Sequence, residues 1–168
     1  MRTARNGRPA LRLVIPVEHE APAPLVSFCS HCGTRPAHPP AAGSGSRVCG
    51  ACGLGLILES RADMAPHAGE AFLVLDQSLA VCAVSEAAER LLAANEPDVV
   101  NRHVSDLLMP ADAEEKNGAS LSTAVAWAAR GDGAVRTAVV RPANTFGIRL
   151  TARISSCGPP RAALVVLE

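Results

Sequence analysis

The sequence predicts an α+β protein: a five-stranded antiparallel sheet with short helices on one side, preceded by a small module built on cysteines. Three observations carry this. Four of the six cysteines fall between residues 29 and 52 as two C-x2-C pairs. From residue 71 onward, short apolar runs of strand length are bounded by turn residues. Between the second and third of these runs the apolar spacing is helical rather than alternating. Strands, then helices, then strands again is the order of an antiparallel sheet whose helices are grouped together.

Residues 1–24 carry Arg2, Arg5, Arg8 and Arg12 followed by "EHEAPAP", with no periodicity. They read as a disordered tail. Its one apolar run is broken by Arg12 and Pro16 and has no small-residue cleavage site, so no signal peptide is expected. Residues 25–58 form the cysteine module and end in the apolar run "LGLIL". Residues 59–69 are a polar linker with Pro66 and Gly69, and 70–168 form the sheet domain.

Within that domain "AFLVL" and "LAVCAV" flank the turn "DQS" and read as a hairpin. Ser85 caps a helix whose Ala88, Leu91 and Leu92 share a face, and Glu86 and Glu89 suit its positive end. "HVSDLLMP" reads as a helical turn stopped by Pro110. "ASLSTAVAWAAR" is a second helix with the stripe Leu121, Val125 and Ala128, ending at Gly131. Three strands follow. In the middle one Phe146, Ile148, Leu150, Ala152 and Ile154 alternate with Gly147, Arg149, Thr151, Arg153 and Ser155, which predicts one buried and one wet face. "AALVVL" is the last strand.

Composition narrows the function. Hydrophobic residues make up 48% of the 168, enough for a core, although there are only three phenylalanines, one tryptophan and no tyrosine. Sixteen basic residues balance sixteen acidic ones, so no global charge draws the chain to nucleic acid or an anionic membrane. No stretch approaches the roughly 20 apolar residues of a membrane helix. A cytoplasmic location is expected, and in a reducing compartment C-x2-C pairs are more often metal ligands or redox thiols than disulfides.

The spacing C-x2-C-x16-C-x2-C assigns Cys29, Cys32, Cys49 and Cys52 as candidate metal ligands. Two intervening residues let a tight turn aim both sulfurs at one ion, and Gly33 and Gly53 supply the positive φ such turns require. The arrangement resembles a zinc ribbon, which implies a structural Zn2+. A redox pair would open a helix, and neither pair is followed by a helical pattern. Iron, as in rubredoxin-like electron carriers, takes the same ligands, but Phe28 is the one aromatic nearby. His31, inside the first pair, is expected to face solvent. The insert "TRPAHPPAAGSGS" is too proline-rich for the hairpin a ribbon usually carries, so only the knuckles are expected.

"AFLVLDQSLAVCAVSEAAERLL" resembles a PAS domain, the sensor module of many signalling proteins, over about residues 70–168. Asp76 stands where that family's first strand ends in Asp. Ser85–Glu89 matches its N-x-A-A-E helix motif, and Asn101 replaces a customary Gly. The resemblance implies a pocket between helices and sheet holding a small molecule, and a homodimer or another protein as partner. His103 is the one histidine among the helices and is expected to cap or face solvent, which disfavours a His-ligated haem. The flavin-adduct motif N-C-R-F-L is absent. Cys82 is expected to be buried and inert, and Cys157 exposed in a turn. With no nucleophile–base pair, phosphate loop or catalytic carboxylates, no enzyme is expected.

The leading expectation is therefore a non-enzymatic signalling or regulatory protein, with a zinc-binding module fused to a PAS sensor or interaction domain. One alternative is a transcription-related factor that contacts nucleic acid or RNA polymerase through the ribbon, with Arg35 and Arg47 on phosphates. The other is the iron electron carrier.

Overall fold

The computed structural model describes residues 23–37, 47–111 and 120–168. The arginines of the tail and residues 38–46 of the proline-rich insert lie outside the described residues. The strands are β1 (Leu25–Cys29), β2 (Ile57–Arg61), β3 (Ala71–Leu75), β4 (Val81–Val84), β5 (Leu108–Pro110), β6 (Arg136–Pro142), β7 (Leu150–Gly158) and β8 (Ala162–Leu167). They form one antiparallel sheet in the order β1-β2-β7-β8-β3-β4, with β6 on β7 and β5 on β6.

The sheet has eight strands, which corrects the expected five. The expected set is present as β3, β4, β6, β7 and β8. The cysteine module contributes β1 and β2, which zip together from Leu25↔Arg61 to Cys29↔Ile57. β5 adds at β6 through Leu108↔Pro142 to Pro110↔Val140. The length of β7 makes room for the module. Its residues up to Ile154 pair with β6, while Cys157 and Gly158 run past the end of β6 and pair with Ser60 and Glu59 of β2. β2 thus runs across position 58, where the sequence reading ends the module.

Local chemistry sets the hairpin and helices. The Asp76 carboxylate accepts from Ser78 N at 2.8 Å, the Ser78 hydroxyl at 2.7 Å and Ala80 N at 2.9 Å, closing the β3–β4 turn. α1 (Glu86–Leu92) is capped by Ser85, whose Oγ accepts from Ala88 N at 3.1 Å and Phe72 N at 2.9 Å. α2 (Glu96–Val99) follows. His103 caps the short 3-10 turn Val104–Asp106, its ring accepting from Ser105 N at 3.2 Å. Asn101 holds φ +68°, a conformation that suits Gly and that Asn tolerates. α3 (Leu121–Ala129) is capped by Ser120, and Gly131 follows its last turn at φ +95°. Pro110, expected to stop a helical turn, lies instead in β5; the turn has already ended at Leu107. No helix among the described residues is long and apolar enough to cross a membrane.

The sheet is covered on both faces. On one, Leu73, Leu75, Ile154 and Val165 pack with Ala88 and Leu92 of α1 and Leu121, Ala124, Val125 and Ala128 of α3. On the other, Phe72, Val74, Leu164 and Val166 pack against Phe28, Leu58, Met64 and Ala65. Phe28 meets Phe72 edge-on, with ring centroids 5.8 Å apart and planes at 83°. Met64 and Ala65 lie in the segment read as a polar linker, yet both are buried. Double coverage explains why every residue of β8 is buried.

It also revises the middle strand. Ala152 and Ile154 are buried as expected, but β7 starts only at Leu150, leaving Phe146 88% exposed and Ile148 exposed in the preceding turn. Arg149 and Thr151 lie on a wet face, whereas Ser155, expected there too, is fully buried beneath the module side. Arg153 stitches this face, donating to Glu168 Oε1 at 2.6 Å and Asp63 O at 3.0 Å.

Candidate metal centre

Each cysteine pair sits in a turn of the same design. Gly33 N donates to Cys29 O at 3.1 Å, and Gly53 N donates to Cys49 O at 2.9 Å. The two glycines hold φ +71° and +70°, where an L side chain is strained. In each turn the amide two residues after the first cysteine points at its sulfur: His31 N lies 3.4 Å from Cys29 Sγ, and Ala51 N lies 3.4 Å from Cys49 Sγ. Cys32 N adds a contact to Cys29 Sγ at 3.5 Å. N–H groups aimed at sulfur stabilise thiolate, the form that binds metal.

The two turns face each other. Cys29 Sγ is 3.6 Å from Cys52 Sγ, Cys32 Sγ is 3.9 Å from Cys49 Sγ, and all four sulfurs lie within 4.8 Å of one another. Sulfurs about 2.3 Å from a tetrahedral metal stand about 3.8 Å apart. The four thiols are free of disulfide and spaced for a single ion. With four protein ligands such a shell is closed and leaves no position for a substrate, the mark of a structural site.

Burial divides the set. Cys29 and Cys49 are buried against Ile57, while Cys32 and Cys52 are half-buried. Burial first, and then neighbouring thiols, push the Cys29 thiol up to about 12 despite the amides aimed at it. For Cys52 burial pulls the same way, but the N–H groups of Gly55 and Leu54 and the thiols of Cys29 and Cys32 outweigh it, lowering the thiol to about 6. Metal binding needs thiolates, so an ion would have to displace the proton that burial favours on Cys29.

The sequence reading did not single out Gly55, Ser30 or Glu96, which fix the site in place. A Cβ at Gly55 would stand 2.5 Å from Cys29 Sγ. Ser30 N donates to Leu56 O at 2.8 Å, and Leu56 N donates to Ser30 Oγ at 3.0 Å, locking the first turn to the second. Glu86 N, in the first turn of α1, donates to His31 O at 3.1 Å. His31 was expected to face solvent, but its side chain is only 14% exposed and its Nδ1 lies 3.8 Å from Glu96 Oε2. The turn is wedged against α1 and α2, which covers the ring. Only Gly55, inside "GLGL" just after the second pair, left a readable trace in the sequence.

No known family's sequence pattern matches the chain, and no curated protein sequence matches it. Among solved structures it is similar to the crystal structure of the PAS domain of nitrogen regulation protein NR(II) from Vibrio parahaemolyticus. The two are 24% identical with a TM-score of 0.44, over 60% of this chain and 88% of that one.

Other candidate residues fall differently from expectation. Arg35 and Arg47 are tied to the backbone. Arg35 donates to Pro66 O at 3.2 Å and to Ala65 O, and Arg47 donates to Ile57 O at 2.9 Å. The two remaining cysteines exchange roles: Cys82 is exposed on the edge strand β4, and Cys157 is buried where β2 covers the end of β7. Burial raises both thiols, Cys157 to about 12.

Proposed function

We propose that the protein is a non-enzymatic cytoplasmic regulator in which a structural zinc clip is built onto a PAS-like sensor or interaction domain. The observation that carries the metal half is the sulfur quartet, with paired separations of 3.6 and 3.9 Å bracketing the tetrahedral value. Zinc is favoured over iron because four thiolates with no open position are a usual structural zinc shell, and the cluster packed at the sulfurs, with Ile57, holds no aromatic side chain. The sensor half is supported by the order of elements: two strands, short helices, then three longer strands, with the helices on one face. Association with a second copy or another protein is the proposed output.

The test is native mass spectrometry of the full chain purified without added metal or chelator. One zinc per chain, lost in Cys29→Ser and Cys52→Ser, is expected. A chain without metal would remove the clip, and one iron with a visible, reducible chromophore would replace it by the electron carrier.

A further inference from the structure

A cavity of about 400 Å³ opens between the cysteine module and the sheet, on the face away from α1 and α3. Leu54, Leu56 and Leu58 line its module side. Leu54 and Leu56 are 70% and 48% exposed, a concentration of bare leucine that a folded surface rarely keeps without use. Val74, Ala83 and Ala162 form the sheet side and are buried. Between the pairs Val74↔Ala83 and Leu75↔Val81 the register slips, so Cys82 is an extra residue on β4, and this bulge sets Cys82 beside Ala83 in the cavity wall. The volume suits a small organic ligand, and an apolar lining with few polar groups is the usual make-up of such sites.

The charged groups that face this cavity are of one sign. Arg161 belongs to its wall, but the guanidinium is directed away: its Nε and Cζ lie 3.7 and 3.9 Å from where a Cβ on Gly131 would stand, at the end of α3. Asp76 follows Phe72 and Val74 by alternation onto the cavity face. All three donors of its turn reach Oδ1, and Oδ2 has no hydrogen-bond partner among the described residues. Glu96 Oε1 accepts from Val84 N at 3.1 Å, while Oε2 stands 3.8 Å from His31 Nδ1, beyond hydrogen-bond range. Each carboxylate thus keeps one oxygen available beside an apolar wall. A primary ammonium, with three N–H donors and a positive charge, is the head group that meets such oxygens. We propose that this cavity binds a small apolar amine in its ammonium form, the hydrocarbon between Leu56 and Ala83 and the nitrogen at the rim formed by Asp76 and Glu96.

This cavity is distinct from the pocket between helices and sheet that the PAS resemblance implies, but it rests on the proposed clip being closed, because Leu54 and Leu56 follow directly on the second turn. Metal content is therefore measured on the same samples. The probe is hexylammonium, with hexanol as the uncharged and hexanoate as the anionic control, followed by amide shifts of the 15N-labelled full chain. Saturable shifts at Leu56, Ala83 and Ala162 are expected, with hexylammonium bound about tenfold more tightly than hexanol, and hexanoate more weakly than either. The double variant Asp76→Asn, Glu96→Gln keeps an acceptor oxygen for each donor of the fold and should bring hexylammonium down to the level of hexanol. Leu54→Ser, at an exposed position, should weaken both probes alike. The ranking of the three probes on the native chain does not depend on either variant folding. No saturable shift in metal-loaded protein overturns the site while leaving the clip intact. Shifts confined to α1 and α3 place the ligand on the other face and also overturn it. Hexanol or hexanoate binding as tightly as hexylammonium overturns the cationic class.

Discussion

Gly55 lies against Cys29 so closely that a Cβ on it would stand 2.5 Å from the Cys29 sulfur and 2.7 Å from the His31 amide nitrogen. The second turn of the clip can approach the first because this residue has no side chain. Gly55→Ala must push a ligand sulfur or its turn aside, at a cost of about 1–3 kcal/mol by the usual scale of overpacking. Gly50→Ala, where nothing lies within 4 Å, should be neutral. Thermal unfolding of the metal-loaded proteins, with a chromophoric chelator competing for the ion, measures both. Equal behaviour of the two variants would contradict the close approach.

Removing the metal should loosen the molecule locally. β2 is held to β7 by only two residue pairs, whereas β7 and β8 share six. Treatment with a strong chelator should therefore raise hydrogen exchange first at β1 and β2, with β3 and β8 still protected. A uniform rise across the sheet would show that the clip controls global rather than local stability.

Two phenylalanines test the double coverage of the sheet. Phe28 is fully buried against Phe72, so Phe28→Ala should lose about 3–5 kcal/mol in urea unfolding. Phe146 is 88% exposed, with Arg141 over its ring at 5.6 Å, and Phe146→Ala should cost no more than about 1 kcal/mol. The reverse ranking would restore the longer alternating strand that the sequence suggested.

The Asp76 turn predicts a pH dependence. Partial burial works against the Asp76 charge, yet the Ser78 hydroxyl and the amides of Ala80 and Ser78 hold its carboxyl below the ordinary value. A depressed folded-state pKa means the contribution is complete above the unfolded value of about 3.9 and is lost as pH falls through the folded one. Between pH 6 and 5 the stability gap between the native protein and Asp76→Asn should stay constant, and it should narrow as the pH drops below about 4. A gap that persists undiminished at low pH would mean the charge contributes nothing.

Thiol labelling distinguishes the two lone cysteines. In metal-loaded protein a soluble maleimide should modify Cys82 first, because it is exposed, although burial of its sulfur raises its pKa and slows the reaction. Cys157, buried and pushed up to about 12, should react only on unfolding. Peptide mapping after brief labelling decides, and prompt labelling of Cys157 would mean that β2 does not cover the end of β7.

Much of this was legible in the sequence because it is local. The cysteine spacing, the caps Ser85 and His103, and the apolar runs of β3, β4 and β8 each declare themselves within a few residues. What covers a strand is not local. "AALVVL" is apolar at every position, which indicates burial on both faces, but nothing in the run says that Phe28 and Met64 supply the second layer. The pairing of Ser60 with Cys157 joins distant segments through only two residue pairs, too short a match to leave a pattern. Cys82 and Cys157 were misplaced for this reason: their exposure depends on which strand lies at an edge, not on their neighbours in sequence. Alternation through Phe146 suggested a longer strand because periodicity shows which side chains share a face without showing where pairing begins.

The Phe28–Phe72 contact also bears on how this protein can be divided. A fragment beginning at Glu70 would keep all five strands of the expected sheet, yet it would present Phe72, Val74, Leu164 and Val166 to water as one continuous apolar surface. Such a piece would be sticky, recruiting another copy of itself or a foreign surface to replace the lost layer. The cysteine-bearing segment thus serves the sheet as a lid, keeping a natural adhesive face closed.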